Sequence, residues 1–580
     1  MAGIGLVLNT AKDALLTQQY AMDVVSHNIA NVSTEGYSRQ TPTIEAKMPG
    51  PYGGLIFGRG VELQEIQRQL DTFVETRLRE RESDLSAMSE KETYLTVLEG
   101  VFDENSGRSI SAQFDAFWNA WQDLSNNPSG SAERTIVYES GAHLAQSFQD
   151  IRNDLDRFEQ ELNISLEAGT ETINQHTSQI ATLNEQIISM EINANANDLR
   201  DQRDMLIRHL SEHLDINVFE DSRGHLTVTT GRGYTLVSKT DHYELSFESG
   251  EVRWEGSSGS VDITDMITEG KLGGWLEVRD AFLPKYRNEL DELAGSVIWN
   301  VNKVHSQGVG LEGMTAVTGT YEAEGTGVPI ADSGLPSADA VEAGEFTMWV
   351  YEQDGSLRDS VTVTINDPTA NTLDDIETAL DGVGSVSAAF DAEGRLEISV
   401  GGNATFALAE DPDGPSGILA ALGINTFFHG KSAQDITMNE TLNTHKEYMA
   451  AGRVDPDTGE IAVGDNTNAL AVADLSEQKV AMDRFTYDSP ETSVSSPEDT
   501  FQGYYAHLVG SLGIKSESVR REQEYAEVVV NQLTQKRNDL SAVSLDEEMT
   551  NLIKYQHAYS AAAKLVSTAD QMLQTLLQTR

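Results

Sequence analysis

Two apolar stripes bracket the chain. Near its start, Ile4, Leu8, Ala11, Leu15, Gln18, Met22, Val25, Ile29 and Val32 follow one another at alternating steps of four and three, and only Gln18 is polar. A mean step of 3.5 keeps one seam of a helix facing a partner helix. Near the end, Leu545, Met549, Leu552, Gln556, Tyr559, Ala563, Val566, Asp570, Leu573 and Leu577 repeat the pattern. Its two polar interruptions are flanked by Ile553 and Ala569. The stripes predict one helix at each end, and each is the natural partner of the other.

Between them the pattern is helical from Glu65 to Leu214, with a break at Pro128. The stripe Ile151, Leu155, Phe158, Leu162, Leu166, Ile173, Ile180, Leu183, Ile187, Met190 describes a helix too long for a compact domain, hence a bundle or rod. A further stripe, Leu508, Leu512, Val519, Val529 and Leu533, follows the linker running from Ser489-Pro490 to Ser496-Pro497. Two stretches alternate with period two instead. Residues 216–262 do so at Ile216 and Val218, Leu226 and Val228, Tyr243 to Phe247, and Val252 to Trp254, with turn signals at Arg223-Gly224 and Ser249-Gly250. Residues 311–430 do so around Met348, Val363 and Ile398, with one short helix signalled by Thr372 three residues before Asp375. The expected fold is mainly α with β-rich insertions (α+β). Residues 1–40 and 545–580 are read as terminal helices paired as a coiled coil. Residues 41–310 and 431–544 are read as a helical rod with a β-hairpin insert at 216–262. Residues 311–430 form a nested β-rich lobe.

Composition narrows the function. A chain of 580 residues with 39% hydrophobic content buries a core and is of a length for roughly four domains of ~150 residues. No apolar run approaches the ~18 residues of a membrane span, so no membrane insertion is expected. The first residues lack a basic n-region, which argues against a cleaved secretory signal. With Cys 0, disulfides, thiolate metal sites and cysteine nucleophiles are excluded. The net charge of −53 is repelled by phosphate backbones and anionic lipid, so nucleic acid is a poor partner. That charge lies in the middle. Residues 1–42 hold Lys12 and Arg39 against Asp13, Asp23 and Glu35, whereas the lobe holds 21 acids against Arg358 and Arg395. The ends read as packed against protein and the lobe as facing water.

Catalytic signals are weak. His209, Glu212 and His213 match the inverted zincin spacing, but they also close a helix, where histidines suit the negative end of the dipole, and no third ligand is suggested. Gly308, Gly310 and Gly313 form a GxGxxG that follows a helical pattern rather than a strand, so the dinucleotide reading fails. Gly430-Lys431-Ser432 resembles the end of a P-loop, but Asn425 stands where glycine is required. His176 lies on the bundle stripe. Asp546, Glu547 and Glu548 sit at a helix start, which favours acids. No enzyme, cofactor or metal is expected.

The most specific string follows the first stripe: Ser26, His27, Asn28, Ile29, Ala30, Asn31, then Gly36, Tyr37, Ser38, Arg39, Gln40. Asn28 and Asn31 suit a helix end, Gly36 permits a positive-φ turn, and Tyr37 offers an anchor to what comes next. This string resembles the N-terminal signature of the flagellar rod, hook and hook-associated axial proteins. The run from Ser544 to Tyr559, continued by Ala561 to Val566, resembles their C-terminal helix. Ala14 stands where the wider family often has glycine. Leu124 to Pro128, Asp201 to Asp204 and Gly464 to Leu470 narrow the resemblance to the hook-associated protein 1 (FlgK) family, over nearly the whole chain and least over 311–430.

The resemblance implies a structural component of the bacterial flagellum at the hook–filament junction. It implies self-association in a helical tube, with hook protein on one side and hook-associated protein 3 on the other. It also implies type III export to the cell exterior without a cleaved signal peptide, after binding to a cytoplasmic chaperone. Within the wider superfamily, hook-associated protein 3, hook protein and flagellin are the nearest alternatives. Outside it stand a secreted zinc hydrolase built on His209, Glu212 and His213, and a cytoplasmic coiled-coil scaffold. The expected assembly interface is Ile4, Leu8, Leu15, Met22, Val25, Asn28, Ile29, Asn31, Val32, Gly36 and Tyr37, with Leu545, Met549, Leu552, Tyr559, Val566, Leu573 and Leu577. A helix over 4–32 is ~43 Å long, and ordering it costs on the order of 30–60 kcal/mol of backbone entropy. Eight stripe side chains return ~1–3 kcal/mol each. One seam alone is marginal, so the isolated chain is expected to fray at both ends.

Overall fold

A computed structural model describes residues 2–52, 55–102, 109–191, 195–221, 224–488 and 491–578. The expected turn residue Arg223 and the linker start Ser489-Pro490 lie outside these. Helix occupies 54% of the chain and strand 20%, which makes the fold mixed α+β with long helices and small sheets.

The helices in chain order are α1 (Ala2–Ala30), α2 (Thr72–Val101), α3 (Ile110–Asn126), α4 (Ser131–Met190), α5 (Asn197–His213), α6 (Gly270–Glu277), α7 (Leu283–His305), α8 (Leu373–Asp381), α9 (Ile418–Leu422), α10 (Glu440–Thr444), α11 (Thr467–Asp474), α12 (Phe501–Ser541) and α13 (Leu545–Gln578). The chain divides into two units, residues 1–94, 161–278 and 516–580 in the first, and 95–160 with 279–515 in the second. Three of the four boundaries fall inside α2, α4 and α12, and the fourth lies between α6 and α7. The 60 residues of α4 carry the long stripe with its side chains buried, apart from half-buried Leu183 and exposed Met190.

In the first unit α1 packs along α13, and also against a β-ribbon made of β1 (Gln40–Ala46) and β4 (Val61–Arg68). The helix pair is antiparallel, because Asn28 near the end of α1 meets Glu548 at the start of α13. Between β1 and β4 the chain makes a hairpin of β2 (Gly50–Tyr52) and β3 (Leu55–Phe57). The helical pattern expected from Glu65 therefore begins only at Thr72. Residues 61–68 alternate in exposure and pair with β1, so cross-strand pairing decides what local helix propensity left open. The ribbon adds a second surface for the N-terminal helix, since α1 packs on it as well as on α13. The strands at 216–262 form a four-stranded and a three-stranded antiparallel sheet, and Gly224 takes φ +81° at the first turn.

In the second unit, residues 314–424 hold a core of their own. A sheet of residues 344–351, 357–365 and 405–410 and another of 316–318, 386–390 and 396–400 contribute to it, with α8 and α9. Thr372 and Asp375 form the expected reciprocal cap at the start of α8. The Leu124–Pro128 and Gly464–Leu470 motifs meet in this unit, where Asn466 Nδ2 donates to the Ser125 carbonyl at 2.7 Å. Arg134 donates to the carbonyls of Pro128 and Met449, at 2.8 and 2.6 Å.

Candidate functional site: the knot that joins the two chain ends

The site is built where α1 stops. Asn31 caps the helix, its side-chain amide donating to the His27 carbonyl at 3.0 Å. Gly36 turns the chain with φ +76°, and a Cβ there would press on the Met205 thioether at 3.3 Å. Both pressures select glycine. Tyr37 then folds back. Its hydroxyl donates to Asn28 Oδ1 at 2.7 Å, and its ring stands edge-on to His27 at 5.6 Å between centroids. Burial, then Asp198, Asp201 and Glu548, hold the Tyr37 phenol neutral by pushing its pKa up.

Asn28 does not cap the helix. It is 1% exposed and uses its whole side chain as a bridge between three segments. Its Nδ2 donates to the Gln40 carbonyl at 2.8 Å and to Glu548 Oε2 at 3.0 Å, while its Oδ1 also accepts from the Gln40 amide at 3.0 Å. Every hydrogen-bonding site of the amide is therefore filled, the condition under which a buried polar group stabilises rather than costs. Glu548, also 1% exposed, answers from α13. Its Oε1 accepts from Nε and a terminal nitrogen of Arg39, both at 2.8 Å, and the other terminal nitrogen reaches Glu547 at 2.7 Å. The Arg39 amide donates to the Ser541 carbonyl at 2.9 Å.

The knot is anchored to α5 through Asp201 to Asp204. Asp201 accepts from the Ser38 amide at 3.0 Å and from Arg68 at 2.8 Å, and Asp204 accepts from the same guanidinium at 2.8 Å. Burial pushes the Asp201 carboxyl up, opposed by those partners. Arg203, buried, turns the other way to Asn184 Oδ1 at 3.0 Å.

The expected interface residues scatter around this knot. Val25 and Asn28 are buried; Ile4, Leu15, Met22, Ile29, Asn31, Gly36 and Tyr37 are half-buried; Leu8 and Val32 are exposed. On α13, Leu552, Val566 and Leu573 are half-buried, whereas Leu545, Met549, Tyr559 and Leu577 are exposed. Among the described side chains the buried positions of α13 are Glu548, Ala562 and Ala569, and those of α1 include Ala11, Ala21, Val24 and Val25. Arg39, Gln40 and Glu548 are the functional residues that periodicity misses. The signal for them is the string Tyr37-Ser38-Arg39-Gln40 and the last acid of the run Asp546-Glu547-Glu548, one turn before Leu552.

The other candidates resolve into local structure. His209 and His213 lie in the last turns of α5 facing His176 of α4, with ring centroids 6.1 and 6.3 Å from that of His176. Burial, with Lys271 beside it, depresses His213 to about 4. Among the described residues no three His, Asp or Glu side chains converge as metal ligands. Gly308 and Gly310 allow close approach to Asn468 and to the backbone at Glu447 and Tyr448. Asp435 accepts from the amides of Lys431 and Ser432 at 3.0 and 2.8 Å, a side-chain-closed turn. No described helix is long and apolar enough to cross a membrane.

Both partners of the knot lie in segments shared with flagellar axial proteins. Residues 8–37 match the family described as "Flagella basal body rod protein", and 535–579 match "Flagellar basal body rod FlgEFG protein C-terminal". The chain is thus a flagellar axial protein, a structural component of the flagellum. Residues 95–319 match "Flagellar hook-associated protein FlgK helical domain". The chain is 27% identical to flagellar hook-associated protein 1 of Salmonella typhimurium, over 99% of this chain and 100% of that one. It is also 27% identical to the protein of that name from Bacillus subtilis, over 98% of this chain and 97% of the other. A solved structure of the flagellar hook junction protein FlgK from Burkholderia pseudomallei covers 81% of this chain and 100% of its own, at 17% identity and a TM-score of 0.49. Over nearly its whole length the chain is similar to flagellar hook-associated protein 1 (FlgK).

Proposed function

We propose that this structural protein of the hook–filament junction polymerises through the α1–α13 pair, with the helical segments making lateral contacts and the acidic lobe turned outward. Hook protein lies on one side of it and hook-associated protein 3 on the other. It reaches the cell exterior by type III export with its N-terminus uncleaved, held beforehand by a cytoplasmic chaperone. It acts by coupling two polymers, without catalysis. One observation carries this reading: the pair is locked by a saturated polar knot, yet Leu8, Leu545, Met549, Ile553 and Leu577 remain exposed along it. Apolar faces on rigid, fixed helices are sites for neighbouring subunits. Leu15→Asp or Leu573→Asp is expected to abolish incorporation at the hook tip while the lobe still unfolds cooperatively. Cells then carry hooks without filaments and shed flagellin into the medium. Filaments on such variants would refute the seam.

A further inference from the structure

We propose that a cavity at the elbow between α12 and α13 binds a small inorganic oxyanion of the phosphate or sulfate type. The site is independent of how the chain polymerises. Three features point to it.

The first is the cavity, about 310 Å³, whose lining residues all belong to the first unit. The turn from Asn31 to Ser38 lines it, with Glu75 of α2, Arg208 of α5, and Arg537, Asn538 and Ser541 of α12. Its size suits a polyatomic ion with a few waters. The second is a pair of guanidiniums. Among the described residues Arg537 has no carboxylate partner, and its Nε and one terminal nitrogen donate to Asn538 Oδ1 at 3.3 and 3.0 Å. In a chain of 93 acids and 40 bases, a half-buried arginine without a carboxylate is conspicuous. Burial, then the neighbouring charge of Arg208, lowers the Arg537 pKa. Arg208 meets Glu75 and Glu82 at 3.3 and 3.7 Å, longer than the ~2.7–2.9 Å of a tight charge-assisted bond. Its Nε is buried without a hydrogen bond among the described residues. Arg79, half-buried and repelled by Arg208, adds a third cation. Against these stand Glu75 and Glu82, and burial lifts Glu82 to about 7, so it offsets only part of the charge near neutral pH. Glu35, the remaining acid of the lining, is exposed and screened by solvent.

The third is Ser541. It lines the cavity and is 7% exposed, and its hydroxyl finds no hydrogen-bond partner among the described residues. A buried hydroxyl left unpaired destabilises a fold. An oxyanion offers acceptors to that hydroxyl and to both guanidiniums at once, and its charge relieves their mutual repulsion. The Ser541 carbonyl already accepts from the Arg39 amide of the knot at 2.9 Å, so an ion here stiffens the elbow from which α13 departs.

The test uses the full chain in chloride buffer, with sodium phosphate and sodium sulfate as probes at matched ionic strength. Phosphate at about 10 mM is expected to slow amide exchange over residues 537–548 several-fold and to raise the unfolding midpoint of the first unit. Arg537→Gln weakens the phosphate response about tenfold or more, and Ser541→Ala weakens it several-fold. The Ser541 hydroxyl bonds to nothing within the described chain, so Ser541→Ala leaves exchange in chloride unchanged. A lost response in that variant therefore reports the ion and not a damaged fold. A response to phosphate alone, or to both anions, supports the site and tells which ion it takes. A response no larger than that of chloride, or one retained in both variants, overturns it. Filament attachment is not the readout, so failure here leaves the polymerisation reading intact, and failure of that reading leaves the ion site intact.

Discussion

The lobe at 314–424 and the α1–α13 pair both follow regular apolar patterns, and they use them in opposite ways. In the lobe Phe346, Met348, Val363, Ile365, Ile376, Leu380, Ile398 and Phe406 close on one another, and each is buried within a single chain. In the pair the buried positions are mostly small or polar, Ala11, Thr17, Ala21, Asn28, Glu548, Ala562 and Ala569, with Val24 and Val25 beside them. Large side chains such as Met549 and Leu577 stay 53% and 72% exposed. The lobe is complete as one molecule. On the proposed reading the pair is completed by neighbouring copies, which would make stability and assembly separable properties held in different parts of the chain.

The sharpest way to break that division is to damage each side and read both properties. Phe406→Ala removes a fully buried ring from the lobe and is expected to cost about 3–5 kcal/mol there, seen as an earlier unfolding transition in denaturant with filaments still attached. Loss of attachment in a variant whose lobe stays folded would show the two properties to be linked. Glu548→Ala leaves Arg39 with Glu547 alone and one Asn28 donor without its partner. It is expected to cost about 2–4 kcal/mol, read as faster amide exchange over residues 2–30 and 545–578 and unchanged exchange in the lobe.

Acid offers a third, smaller test, confined to the first unit. His213 is neutral in the fold, its pKa lowered from 6.5 to about 4. The unfolded chain therefore binds a proton that the folded one does not. Its contribution is whole above pH ~6.5 and fades as pH falls toward ~4. Partial exposure keeps the loss to about 1–2 kcal/mol. His213→Gln should flatten that part of a stability–pH curve, and an unchanged slope would place the titration elsewhere. The smallest stability effect belongs to Leu577→Ser, within about 0.5 kcal/mol. Its expected consequence is weaker filament retention under shear, and a variant normal in both respects would remove Leu577 from the interface.

The frame of the molecule is legible in its periodicities: the helices at both ends, the 60-residue α4, the alternating stretches and the Thr372 cap all follow local rules. The β1–β4 ribbon is not, because strands of eight residues or fewer owe their state to a partner more than to their own sequence. The site divides the same way. Gly36 and Asn31 are readable, since a positive φ and a helix end are local demands. Glu548 reads as an ordinary helix-start acid, and Asn28 as a cap, until each is seen to be the other's partner. The stripe of large residues points to the right helices, while several of the residues those helices bury most fully are alanines.

Asn28 and Glu548 are 520 positions apart. A chain made from its N-terminus must finish almost entirely before the latch can close, and closing so wide a loop carries an entropic toll of about 5–6 kcal/mol that grows only with the logarithm of its length. The delay is a timer set by the length of the polypeptide: a fragment cut short between the end of the lobe and Glu548 keeps the residues of its lobe core, yet on the proposed reading it lacks the paired helices needed to join a growing structure.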